Sequence, residues 1–144
     1  MQNRHAGSWI AASLLAGSLL ATGTACNRLS AEGKMDQNVT VTKADHDKTV
    51  RVATGGRITV RLTWSPGTGY DWVIAKNDTT LLQQEGEAGT EPNKDPMPGA
   101  PETRILQFKA LKAGTAALEL HSRRPWEKDA PPLEVFRVKV AIAN

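Results

Sequence analysis

The chain has 144 residues, with 18 Lys and Arg against 15 Asp and Glu, for a formal net charge of +3. That length holds one domain whose core is large enough to stand without disulfides. The positive excess is small and scattered, with Arg123-Arg124 as the one adjacent basic pair, which argues against nucleic acid or an anionic surface as partner.

Arg4 and His5 form a short polar head, and an uncharged apolar run from Trp9 to Ala21 follows. The run has 13 residues, against about 20 needed to span a bilayer. Small residues then lead from Thr22 to Ala25, as at the exit of a secretory signal peptide. Cys26 is the single cysteine, so an internal disulfide is excluded. Its place after the signal resembles a bacterial lipobox, although Gly23 stands where such signals usually carry Leu. The expectation is a signal peptide over 1–25, of lipoprotein type, with Cys26 lipidated. Ordinary cleavage near the same point, leaving a free thiol, stays open. A polar stretch then reads as a flexible tether, giving a tether over 26–37 and a folded domain over 38–144.

From there the chain alternates. Val39 and Val41, Val50 and Val52, and Ile58, Val60, Leu62 and Trp64 each take every second position. Tyr70, Trp72 and Ile74 repeat the pattern, as do Leu106 and Phe108, Leu118 and Leu120, and the series Phe136, Val138, Val140 and Ile142. Such alternation marks half-buried strands. Turn signals at Gly55-Gly56, Ser65-Pro66-Gly67, Ala113-Gly114 and Pro131-Pro132 separate them. The nearest approach to a helical pattern, Asn77 to Gln84, is short and β-branched at Thr79-Thr80. The predicted fold is all-β, an immunoglobulin-like antiparallel β-sandwich of about 7–8 strands. One connection, Gly86 to Glu102, is long, rich in Pro and Gly and without periodicity. Loops of that kind are functional or disordered.

Two other loops stand out. In Ser65-Pro66-Gly67-Thr68-Gly69-Tyr70, Pro66 fixes its own φ and drives Ser65 to an extended shape. Gly67 and Gly69 permit positive φ, with Thr68 offering its side chain at the tip. Tyr70 and Trp72 are expected to pack into the sandwich and hold the base. In Arg124-Pro125-Trp126-Glu127, Pro125 stiffens a connection carrying the Arg and Trp enriched at interface hot spots. Each also has a plainer reading. The first can be an ordinary turn, and Trp126 can fold back into the core under an Arg124 cation–π contact.

The two motifs in this order resemble the chagasin family of cysteine-peptidase inhibitors over roughly Val39 to Ile142. Pro66, Thr68, Gly69, Tyr70 and Trp72 match the family's first-loop pattern, Asn-Pro-Thr-Thr-Gly-aromatic with a Trp two positions on. Arg124, Pro125 and Trp126 match its Arg-Pro-Trp loop. The resemblance implies an immunoglobulin-like sandwich that inhibits papain-like cysteine peptidases reversibly with three loops from one end. Ser65, Pro66, Gly67, Thr68 and Gly69 would enter the cleft over the catalytic cysteine and histidine. Arg124, Pro125 and Trp126 would pack on the primed side. The long loop around Met97, Pro98, Gly99 and Ala100 would straddle the enzyme on the other side. Ser65 stands where relatives carry Asn, and Gly67 stands where they carry the first Thr.

An enzyme is disfavoured. The histidines beyond the signal are His46 and His121, and no nucleophile–base set or metal-spaced cluster accompanies them. Asp45-His46-Asp47 reads as a turn rather than a metal site. No catalytic residue, cofactor or metal is expected. The competing reading is a non-inhibitory envelope lipoprotein that binds a glycan or protein, for which an exposed Trp126 would also serve. Either way the chain is expected to be an exported monomer, held at a bacterial envelope by its lipid or else free in the periplasm or outside, touching membrane only through that anchor.

Overall fold

The computed structural model describes residues 35–144 apart from Pro96; the expected signal peptide and Cys26 lie outside the described residues. Among the described residues nine strands form two sheets. They are β1 (Asn38–Thr42), β2 (Thr49–Ala53), β3 (Arg57–Trp64), β4 (Asp71–Lys76), β5 (Leu82–Gln84), β6 (Gly89–Glu91), β7 (Glu102–Ala110), β8 (Gly114–Arg123) and β9 (Glu134–Ala143). One sheet has the order β1-β3-β7-β5, with β6 also on β7, and the other has the order β2-β9-β8-β4.

The period-two pattern places the core as expected. Ile58, Val60 and Leu62 of β3 are at most 1% exposed, and Phe108 of β7, Leu120 of β8 and Val140 of β9 are fully buried. They face one another across the gap between the sheets, where apolar burial supplies most of the stabilisation.

Four features depart from the expectation. Two edge pairings are parallel, β1 on β3 and β2 on β9. The cause is the connection between β1 and β2. Instead of turning back as a hairpin, the chain passes through a 3-10 turn at Lys43–Asp45 and crosses to the other sheet. Each strand then joins a partner that is distant in sequence. The turn is closed by the Asp45 carboxylate, which accepts the Thr42 backbone N–H at 2.9 Å.

The strand count exceeds the expected 7–8 because β5 and β6 have three residues each, too few to show a period. The segment from Gly86 to Glu102, expected as one structureless loop, contains β6. Finally, Asp36 and Gln37, in the stretch read as tether, are bonded to the fold. Their carbonyls accept the N–H groups of Ala53 at 3.0 Å and Arg57 at 2.6 Å. The segment Asn77 to Gln84 is a turn and then β5. The Asp78 carboxylate accepts the Thr80 hydroxyl at 2.6 Å, which holds it below its usual range.

Registry aligns one end of the sandwich. Trp64, at the end of β3, pairs with Glu102 at the start of β7. Asp71, at the start of β4, pairs with Arg123 at the end of β8, and Ser122 pairs with Glu134 at the start of β9. The connections 65–70, 92–101 and 124–133 therefore all leave from that end.

The opposite end depends on Gly56. A Cβ there would stand 2.8 Å from the Ala53 and Gln37 carbonyl oxygens and from a Val52 methyl. Gly56→Ala should therefore destabilise the fold by about 1–3 kcal/mol. Denaturant unfolding checks this, and an unchanged midpoint would show that the β2–β3 turn adjusts freely.

Candidate functional site: three loops at one end

The first loop carries the chain from β3 in one sheet to β4 in the other. Ser65 is extended (φ −120°, ψ 93°), as the following proline requires. Pro66–Thr68 then make one 3-10 turn, with the Thr68 N–H donating to Ser65 O at 3.1 Å and the Gly69 N–H to Pro66 O at 3.2 Å. Gly69 leaves the turn at φ +76°, in the left-handed region that favours glycine. Gly67 does not use its freedom in that way, since its φ is not positive. The Thr68 side chain also differs from expectation. Its hydroxyl turns back to donate to Ser65 O at 2.7 Å and accepts the Tyr70 N–H at 3.3 Å. Thr68 thus braces the turn that its position at the tip suggested it would merely decorate.

Two indoles hold the base. Trp64 Nε1–H donates to Tyr70 O at 2.6 Å, and Trp72 Nε1–H donates to Thr63 O at 2.9 Å. Trp72 is 5% exposed, as expected. Tyr70 is only half-buried and serves as the platform for Arg124, whose guanidinium lies 4.8 Å from the ring centroid.

The loop after β8 divides its two arginines. Arg123 turns inward on its own loop and donates to the carbonyls of Glu127 at 2.7 Å and Lys128 at 2.5 Å. Arg124 crosses to the first loop, where its Nε–H donates to Thr68 O at 3.2 Å. The Glu127 N–H closes on Arg124 O at 3.0 Å, so Pro125 and Trp126 occupy the two central positions of a turn. Trp126 is 67% exposed. The alternative of a core Trp126 under Arg124 is thereby overturned, because Arg124 stacks on Tyr70 and the indole faces solvent. The inner edge of that indole rests on Gly69, where a built Cβ would lie 2.6 Å from Cη2.

The remaining loop follows β6. The Ala100 N–H donates to Met97 O at 2.9 Å, Gly99 has φ +79°, and Met97 is 73% exposed. Met97, Trp126 and Leu133, large apolar side chains that are all exposed, belong to the connections at this end. Between the first loop and the start of β9 lies a cleft of about 640 Å³ lined by Trp64, Tyr70, Trp72 and Leu133 among others.

Every expected site residue from Ser65 to Gly69, Met97 to Ala100 and Arg124 to Trp126 is therefore at the same end. Ser65–Gly69 and Arg124–Trp126 are in direct contact. Sequence reasoning missed Trp64, Asp71, Arg104 and Leu133. For Trp64 a signal was present, since it shares the inward parity of Ile58, Val60 and Leu62 and directly precedes the loop. Neither of the described histidines belongs to these loops. His46 accepts the Arg137 N–H at Nδ1 (3.1 Å), and His121 on β8 pairs with Glu119 at 2.5 Å.

The sandwich thus carries three connections at one end, two of them in contact with each other, with an exposed indole among them. Residues 51–140 match the model of the chagasin family peptidase inhibitor I42, and the chain belongs to that family of inhibitors, which are not enzymes. It is 35% identical over 100 residues to Amoebiasin-2 of Entamoeba histolytica, covering 69% of this chain and 80% of that protein. The crystal structure of the cysteine protease inhibitor EhICP2 from Entamoeba histolytica is similar with a TM-score of 0.66 and 29% identity, over 73% of this chain and 95% of that one. The solution structure of Amebosin shares the fold at a TM-score of 0.59 and 23% identity, over 73% and 97% of the two chains.

The seat of Trp126 gives a direct test. Gly69→Ala should cost about 1 kcal/mol from its positive φ and displace the indole besides. The Trp126 indole N–H resonance should shift while those of Trp64 and Trp72 hold. An unmoved Trp126 signal would mean that the ring is not seated on Gly69.

Proposed function

We propose that the chain is a reversible inhibitor of papain-like cysteine peptidases that occludes the active-site cleft with Ser65–Gly69, Met97–Ala100 and Arg124–Trp126. The observation that carries this reading is the contact between the first and last of these loops. Trp126 sits on Gly69 while Arg124 binds Thr68 O and covers Tyr70. The paired loops are thus set before binding, so little conformational entropy is left to lose in the complex.

The mechanism follows from shape. A peptidase cleaves an extended strand, and Pro66–Thr68 are wound into a turn with their own internal hydrogen bonds. Ser65–Gly69 would fill the cleft as a blunt wedge without offering a peptide bond in the extended pose. Trp126 would bring its exposed indole against apolar or aromatic residues of the enzyme beside the cleft, a contact of the hot-spot type. Met97–Ala100 would close over the opposite rim. No bond is made or broken, so inhibition is steric and reversible.

The reading extends to location. An exported monomer tethered at the bacterial envelope through a lipid on Cys26 would meet peptidases outside the cytoplasm. The support for this is the apolar run Trp9–Ala21 and the cysteine after it.

The purified protein should inhibit papain with a micromolar or lower constant, and no inhibition at about 100 µM of folded protein would overturn the reading. Trp126→Ala should weaken inhibition at least about tenfold with the fold intact, a loss of about 1.4 kcal/mol. Unchanged inhibition would remove Trp126 from the contact. Gly67 has open space where a side chain would project. Gly67→Thr should therefore leave the unfolding midpoint unchanged and lower the inhibition constant; a higher constant would show that the cleft excludes a larger tip. Cys26→Ser should abolish labelling by a fatty-acid probe in a bacterial host. Labelling that persists would place the lipid elsewhere.

A further inference from the structure

The core side of β7 ends in a charged residue. Leu106, Phe108 and Ala110 point between the sheets and are at most 2% exposed. Arg104 has the same parity and stands at the loop end of that row. Its side chain is 20% exposed. The fork reaches three elements at once. Nη2–H donates to Asp71 Oδ2 at 2.7 Å, Nη1–H donates to Thr90 Oγ1 at 3.0 Å, and the guanidinium carbon lies 4.8 Å from the Trp64 ring centroid. The buried Nε–H has no partner among the described residues.

This arrangement is an expensive way to close a sandwich. Apolar side chains of similar volume hold two sheets together as well as a half-buried ion pair does, without desolvating either charge. What the guanidinium adds is direction, because its donors are fixed in one plane and cannot be met by partners that wander. The partners are those that define the loops. Trp64 is the last residue before the first loop and Asp71 the first after it, and the second Asp71 oxygen accepts the Trp72 N–H at 2.8 Å. Thr90 is the centre of β6, whose three residues are all exposed and lead into the Met97 loop. β6 is also tied on the outer face, where Glu91 pairs with Arg61 of β3. That pair holds β6 to its own sheet and does not reach the base of the first loop.

We propose that Arg104 is a positioning residue that sets the Met97–Ala100 arm relative to the Ser65–Gly69 arm, so that the two meet a peptidase as one rigid surface. Its effect on affinity rests on the inhibitor reading; its effect on the arms does not. Arg104 touches no enzyme in this scheme. It acts through Thr90 on one side and through Asp71 and Trp64 on the other.

Arm geometry and affinity can be measured separately. Spin labels are placed by Gly67→Cys and Met97→Cys in the purified protein carrying Cys26→Ser, and the inter-arm distance distribution is read by pulsed electron paramagnetic resonance. Arg104→Met with Asp71→Leu removes both charges together and leaves neither stranded. The distribution should be narrow before this change and at least about twofold broader after it, while papain inhibition by the unlabelled double variant weakens about tenfold. Thr90→Ala, which severs only the exposed end of the fork, should broaden the distribution alone and add nothing in the double variant. If the double variant does not fold, Thr90→Ala decides the matter by itself. An unchanged width in the variants, or a Thr90→Ala effect that persists without Arg104, overturns the proposal. If the parent protein fails to inhibit papain while the widths change as stated, the inhibitor reading falls and the role of Arg104 stands.

Discussion

Two indole N–H groups set the geometry on which the three-loop end depends. Trp64 ends β3 and Trp72 is the second residue of β4, and each donates to a backbone carbonyl on the far side of the loop between them. The chain has to cross about 10 Å from sheet to sheet at this point. A crossing of six residues with no fixed ends would be mobile. With Tyr70 O bound by Trp64 and Thr63 O bound by Trp72, both ends are fixed to side chains of the packed interior. The 3-10 turn at Pro66–Thr68 then spans the gap between two fixed ends.

The rest of the site is built outward from that crossing. Gly69 has to be left-handed to bring the chain down onto β4, and the absence of a Cβ leaves the flat seat on which Trp126 lies. Arg124 uses the same exposed backbone, at Thr68 O, and the Tyr70 face. Arg123 meanwhile secures the back of its own loop through two carbonyls. One adjacent pair of arginines thus performs two tasks, because successive residues at the end of a strand point to opposite faces. The exposed indole is held from below by contacts that leave its outer face open, and in the proposed role a side chain already fixed in place would lose little freedom on association.

The alternation of apolar residues makes the core legible from the amino-acid order. The inward rows of β3, β8 and β9 are those that the periodicity marks, as burial on one face of a sheet demands. The edge strands are less legible. β5 and β6 are too short for a period, and the parallel pairings of β1 and β2 arise from a crossover that no local pattern encodes. At the site, the composition of the two motifs reveals stiff loops, since Pro and Gly act through their own backbone. The same composition cannot show that the Thr68 hydroxyl is turned inward, nor that Arg124 lies on Tyr70 rather than on Trp126. Those choices depend on neighbours brought in from 56 residues away in one case.

The amino-acid order by itself determined an all-β domain, the positions of its turns and the two motifs that place it among the peptidase inhibitors, because strand periodicity and turn chemistry are local properties of the chain. Tertiary structure decided which loops meet. Registry between strands distant in sequence brings 65–70, 92–101 and 124–133 to one end. Only there do Arg124, two indoles and a glycine without a Cβ become the frame that leaves Trp126 exposed and in place. Contact between such loops is a property of strand pairing and sheet packing, so no reading of one segment alone contains it.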